Sequence, residues 1–218
     1  MTNQGTKIIQ ILIQNLEINY KLEIFEEIIT YGFLDLIKNC NGYHILVCFL
    51  QEFQKYSTKY TTFVQDENRS KEYYLNKIKE HKKFIDSNIK VKFVEICKDK
   101  YGCSFIQFYF SIIPQKSKIK FLFMIRLYSK IFITHPYANY IIQYIIDRND
   151  SLKENDFFLE LIKNDFINLC NNKSSSNIIE KLLENYDNCE NLIETVIKDE
   201  SNIVNVLLNP FGNYGKLS

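Results

Sequence analysis

The residues best placed to do chemistry lie between His135 and Asp147, in HPYANYIIQYIID. Read as a helix, this stretch sets Asn139, Gln143 and Asp147 on one face at i, i+4 and i+8, with Ile141, Ile142, Ile145 and Ile146 on the opposite side. Amides donate and accept hydrogen bonds, whereas a carboxylate only accepts. Taken alone, such a segment reads more readily as an ordinary amphipathic helix than as a ligand-facing one. Recurrence separates the two.

The same frame returns along the chain: a small residue, a polar pair, two apolar residues, then an amide or acid. It appears as GTKIIQ from Gly5, GYHILV from Gly42, GCSFIQ from Gly102, ANYIIQ from Ala138, SSNIIE from Ser175 and GNYGKL from Gly212. Measured between the first polar positions, Thr6, Tyr43, Cys103, Asn139, Ser176 and Asn213, the intervals are 37, 60, 36, 37 and 37 residues. Four of the six glycines directly precede that position, as expected where a helix start packs closely on a neighbour. A period near 36 built from helices marks a stacked helical repeat.

On these frames the chain resembles a PUF (Pumilio-family) RNA-binding domain, strongly from Tyr101 to Tyr214 and weakly before it. The resemblance implies an all-α, crescent-shaped solenoid of about six repeats, the terminal ones incomplete, in which one helix of each repeat reads one base. It also implies that the first and fifth residues of a frame touch the base edge and the second stacks. Asn139 and Gln143, with Tyr140 as stacker, then match the family's uracil reader. Ser176 and Glu180 with Asn177 match its guanine reader, and Cys103 and Gln107 with Ser104 its adenine reader. Asn213 and Tyr214 begin another uracil reader. Thr6, Lys7 and Gln10 hold the corresponding places at the start of the chain, and Tyr43 and His44 in the second frame. Because the family binds RNA antiparallel, reading back from Asn213 gives 5′-U-G-U-A-3′.

Individual frames depart from the pattern. Val47 offers no hydrogen-bonding group, so the Tyr43 frame is expected to show no clear base preference, with His44 left to stack. Ser104 stands where an arginine or aromatic is usual, so stacking on the adenine should be poor. Leu217 replaces the expected amide in the last frame. Before each frame the apolar spacing predicts a packing helix, in Asn19 to Lys38 with a bend at Gly32, in Phe84 to Lys98, in Lys118 to Ile133 and in Phe157 to Asn171. The long interval implies a polar insertion within residues 53–81, expected as a solvated loop followed by a charged helix, in a single domain spanning residues 1–218.

Composition is compatible with this reading. An apolar fraction of 46% in 218 residues is ample for a core, and 27 basic against 26 acidic residues leave a formal net charge of +1. Nucleic-acid binders usually carry a larger basic excess, although base stacking contributes about 1–3 kcal/mol per base without charge. The six cysteines form no C-x-x-C pair, so no zinc site, cofactor or disulfide framework is expected. With no signal-like N-terminus and no long apolar run, a cytoplasmic protein is expected. No phosphate-binding glycine loop or catalytic constellation points to an enzyme.

The resemblance implies post-transcriptional control of messenger RNA, with single-stranded UGUA-containing RNA as ligand and protein partners on the convex surface. Two other readings remain open at this stage. One is a relative that binds ribosomal or structured RNA, with a nucleolar location. The other is a helical-repeat protein adaptor.

Overall fold

The structure is a computed structural model that describes residues 3–61, 69–148, 152–163, 165–185, 194 and 200–211, and every regular element among them is a helix. The uracil reader expected at Asn213 and Tyr214 lies outside the described residues. Two compact units divide the chain, Met1–Ile112 and Ile113–Ser218.

The first unit runs α1 (Asn3–Asn15), α2 (Ile18–Thr30), α3 (Phe33–Lys38), α4 (Cys40–Thr61), α5 (Arg69–Val91), α6 (Phe93–Cys97) and α7 (Lys100–Ile112). Helices α1, α4 and α7, which carry the first three frames, are neighbours in that order. The second unit contains α8 (Gln115–Phe132), α9 (Asn139–Arg148), α10 (Leu152–Lys163), α11 (Phe166–Cys170), α12 (Lys173–Asn185) and α13 (Glu200–Leu208). Here the frame helices α9 and α12 lie side by side.

Where the apolar spacing predicts one packing helix before a frame, the structure has two at three places: α2 and α3, α5 and α6, α10 and α11. The break after α2 falls at Gly32, whose φ of +136° is open to glycine and strained for other residues. Each short helix then buries its apolar face, Phe33 and Ile37 in α3, Phe93 and Ile96 in α6, Phe166 and Leu169 in α11. Spacing alone runs across such breaks because the apolar face is continuous through the turn.

Aromatic packing dominates the core of the first unit. Phe25 meets Phe49 and Phe53 edge-on, with centroids 5.3 and 5.2 Å apart, and Phe33 meets Phe105 at 6.1 Å. Tyr109 Oη donates to Asp86 Oδ1 at 2.7 Å, linking α7 to α5. In the second unit Phe121, Ile125, Phe132, Ile142, Ile146, Phe158, Ile162, Ile178 and Leu182 are buried. Each such side chain contributes about 1.5–3 kcal/mol on leaving water. A buried ion pair joins α2 to α4: Glu52 accepts from Lys21 at 2.6 Å, and from the exposed Lys55 at 2.7 Å.

The charged helix expected in the insertion is present as α5, and the described residues before it are helical as well. Helix α4 continues through Thr61 and α5 begins at Arg69, so the described part of residues 53–81 is helical, with 62–68 outside it. Its core side explains why: Phe53, Ile78 and His81 are buried, with the Phe53 and His81 rings stacked at 6.1 Å. A polar sequence hides these three anchors among its lysines and tyrosines.

Candidate nucleic-acid interface

Four described frame helices, those of Tyr43, Cys103, Asn139 and Ser176, start in the same way, on a residue four positions before the first polar one. Asn39 Oδ1 accepts from the backbone N–H of Asn41 and Gly42, at 2.9 and 3.0 Å. Asp99 Oδ1 does the same for Tyr101 and Gly102, at 2.9 and 2.8 Å. His135 Nδ1 serves Tyr137 and Ala138, both at 3.2 Å, and Asn172 Oδ1 serves Ser174 and Ser175, at 2.9 and 3.2 Å. Asn209 Oδ1 likewise accepts from Phe211 N–H at 2.9 Å. These side chains satisfy N–H groups that the first helical turn leaves without intrahelical partners. Sequence reasoning missed them. The signal was present at positions 39, 99, 135, 172 and 209, spaced like the frames themselves, but spread over three residue types.

The small residue before the first polar position faces a backbone carbonyl six residues earlier. A Cβ on Gly42 would lie 2.5 Å from Leu36 O, and one on Gly102 would press still closer on Ile96 O. Ser175 meets the equivalent carbonyl with its hydroxyl, donating to Leu169 O at 2.6 Å. Close approach therefore seats these frame helices on the short helix before each.

The Asn139 frame differs from the helical-wheel expectation of an open polar face. Asn139 and Gln143 are only 2% and 8% exposed, because α12 of the following repeat lies alongside α9. Tyr140 is exposed, and Asp147 holds Lys181 of α12 at 2.5 Å. Asn139 Nδ2 donates to His135 O at 2.7 Å, and Gln143 Nε2 donates to Asn139 Oδ1 at 2.6 Å. After these bonds the pair retains one N–H on Asn139, and the carbonyl oxygen and one N–H on Gln143. Donor, acceptor, donor is the complement of uracil O2, N3–H and O4.

In the Cys103 frame Gln107 Nε2 donates to Cys103 Sγ at 3.3 Å, which leaves the amide one acceptor and one donor. That suits the N6 amino group and a ring nitrogen of adenine. Burial raises the Cys103 thiol to about 11, outweighing the Gln107 hydrogen bond that favours the thiolate, so the group is neutral. Ser104 is exposed and donates to Lys100 O at 3.3 Å, leaving no ring to stack on a base. In the Ser176 frame Ser176 and Glu180 are half-buried and Asn177 is exposed. Ser176 Oγ donates to Lys173 O at 3.4 Å. A carboxylate at Glu180 can accept from two parallel N–H donors, the pattern on the guanine edge.

The first two frames are differently occupied. Thr6 is buried and donates to Asn41 Oδ1 at 2.7 Å, Gln10 Nε2 donates to His44 O at 3.3 Å, and Lys7 is exposed. Tyr43 lies between rings: His44 at 3.9 Å and Tyr101, stacked, at 5.8 Å. In both frames the first position is met by the residue two places before the next frame's first position, Asn41 for Thr6 and Tyr101 for Tyr43. The expectation that His44 is left to stack on a base is therefore modified, since its ring already packs against Tyr43.

A family model described as Pumilio-family RNA binding repeat matches residues 92–108, 132–160 and 165–193, which contain the Cys103, Asn139 and Ser176 frames. Pumilio homolog 11 of Arabidopsis thaliana is 23% identical over 214 residues, covering 98% of this chain and 34% of the relative. Pumilio homolog 12 of the same plant is 24% identical, covering 96% and 31%. The chain thus spans about a third of the length of these curated relatives. Among solved structures, the Puf3 RNA binding domain bound to Cox17 RNA 3′ UTR recognition sequence site B superposes with a TM-score of 0.70 at 20% identity, over 96% of this chain and 57% of that one. The Puf4 RNA binding domain bound to the HO endonuclease RNA 3′ UTR recognition sequence gives 0.65 at 19%, over 97% and 71%. Three segments of the chain thus match the Pumilio-family RNA binding repeat, and its all-helical fold is similar to that of the Puf RNA-binding domains.

Proposed function

We propose that this chain binds single-stranded RNA carrying a UGUA core, one base per frame, and acts in post-transcriptional control of messenger RNA in the cytoplasm. The observation that carries the reading is the donor and acceptor pattern left over at Asn139 and Gln143. Their internal hydrogen bonds leave two N–H donors and one carbonyl acceptor, the kinds of group that pair with the uracil edge. Glu180 supplies the guanine contact, and Gln107 the adenine contact. Asn213 and Tyr214 supply the first uracil, with Tyr214 as stacker. Tyr140 stacks on the second uracil, worth about 1–3 kcal/mol.

Thr6, Gln10 and Tyr43 hold protein partners, so bases beyond the core are accommodated with little selection. Repression or decay of the bound message would come through protein partners on the outer helices. Sequencing of RNA crosslinked to the tagged protein in cells tests this reading. UGUA enriched in untranslated regions of messages is expected, whereas crosslinks concentrated in ribosomal RNA without that core would overturn it.

A further inference from the structure

Two frame helices whose ends are described stop at the same distance from their first polar residue, nine residues, from Thr6 to Asn15 and from Cys103 to Ile112. Helix α4 runs eighteen, from Tyr43 to Thr61. At 1.5 Å per residue the extra nine add about 13 Å of helix.

The added turns continue the reading stripe. Gln51, Gln54 and Thr58 follow Tyr43 and Val47 along one side of α4 at helical spacing, and Lys55 and Lys59 border them on the side of His44. All five are exposed and line a concavity of 660 Å³. The opposite side of the same turns is core, with Phe49, Leu50 and Phe53 buried.

Resting on the RNA-binding reading above, we infer that this extension of α4 is a second RNA contact, which holds the backbone of nucleotides 3′ of the core. Its lining offers three amide or hydroxyl groups, two ammonium groups and no apolar side chain. A protein interface would need a buried aromatic or aliphatic anchor there. Phosphates and sugar hydroxyls need donors and positive charge instead.

Charge favours the same ligand. Both charged side chains that line the concavity, Lys55 and Lys59, are cationic. Glu52 is shared by Lys21 and Lys55, so the three groups together keep one positive charge in excess. Lys21 and Glu52 are nearly buried and Lys55 is exposed, so Lys55 can turn to a phosphate while the other pair stays in place. Lys59 is exposed and lies 5.1 Å from the Tyr60 ring centroid. In the antiparallel order, the frame of α4 follows the adenine of the core. With Tyr43 held between His44 and Tyr101, the strand is gripped there by its backbone rather than read by its bases.

The test uses the full chain, two RNAs with the same UGUA core, one ending at the adenine and one carrying eight further 3′ uridines, and fluorescence anisotropy across a salt series. Wild-type protein should bind the extended RNA at least tenfold tighter. The double variant Lys55→Ala and Lys59→Ala should lose most of that gain while binding the short RNA within about twofold of wild type. Its log affinity against log salt should flatten by about 1.4, at ~0.7 for each of the two single-strand phosphates left without a lysine. Lys55→Arg with Lys59→Arg should keep the gain, as should Lys116→Ala with Lys120→Ala on α8, which removes equal charge elsewhere. Circular dichroism checks that each variant is folded. No gain for wild type, or the same gain in the alanine variant, overturns the α4 contact. If the short RNA fails to bind but the extended one binds through Lys55 and Lys59, the core reading fails and the α4 contact stands.

Discussion

Exchanging Ser176→Asn, Asn177→Tyr and Glu180→Gln gives the guanine frame the groups of the uracil frame and leaves the buried Ile178 and Ile179 untouched. The second base preference should move from G to U by about 1–3 kcal/mol, measured with UGUA and UUUA RNAs and circular dichroism as the folding control. A folded variant that still prefers G would show that the three positions do not select the base. Cys103→Asn is the companion change. It gives Gln107 the amide partner that Gln143 has in Asn139, at a site as buried as Asn139, and should move the fourth base from A toward U in competition binding. At this scale the recurrence of the frames was legible, because their polar places repeat at a fixed spacing. The burial of Asn139 and Gln143 was not. A helical wheel reports which side faces a helix's own core, and says nothing about the helix of the next repeat that covers the polar side.

Gly102 and the capping residues set each reading helix in place, so their substitution should act on stability. Gly102→Ala would force Cβ against Ile96 O, which backbone cannot easily yield, and should cost about 1–3 kcal/mol, read as a lowered urea midpoint. Asn172→Ala removes a cap that serves two N–H groups and should cost about 1 kcal/mol. The pair joining α2 to α4 adds a pH dependence. Burial opposes ionisation of Glu52, but hydrogen bonds from Lys21 and Lys55 outweigh it and lower its pKa below the ordinary 4.5. A carboxylate with a depressed folded pKa stabilises the fold above its unfolded value and loses that contribution as pH falls through the folded one. Wild type should therefore exceed Glu52→Gln in stability by a constant margin above pH 4.5, shrinking below it, as urea melts at stepped pH would show. The existence and order of the helices followed from apolar spacing. The breaks between α5 and α6 and between α10 and α11, and the helical course of residues 53–61, did not, since a turn does not interrupt an apolar face and buried anchors are hard to see among polar neighbours.

Across the whole molecule, the near-neutral charge and the RNA-binding reading are compatible if affinity comes from stacking and base edges, with cations gathered where the strand is held by its backbone. The repeat period made the family resemblance legible from sequence, while the charge total concealed the two cations that line the α4 concavity, Lys55 and Lys59, because summation over the chain discards position. The most direct test of the account is the affinity of the full chain for single-stranded RNA containing UGUA against the same RNA with ACAC in its place, by fluorescence anisotropy at stated salt concentrations. Removing several base contacts, at about 1–3 kcal/mol each, predicts at least tenfold weaker binding to ACAC. Equal affinity for the two RNAs, with the protein folded and the salt matched, would contradict base reading by these frames.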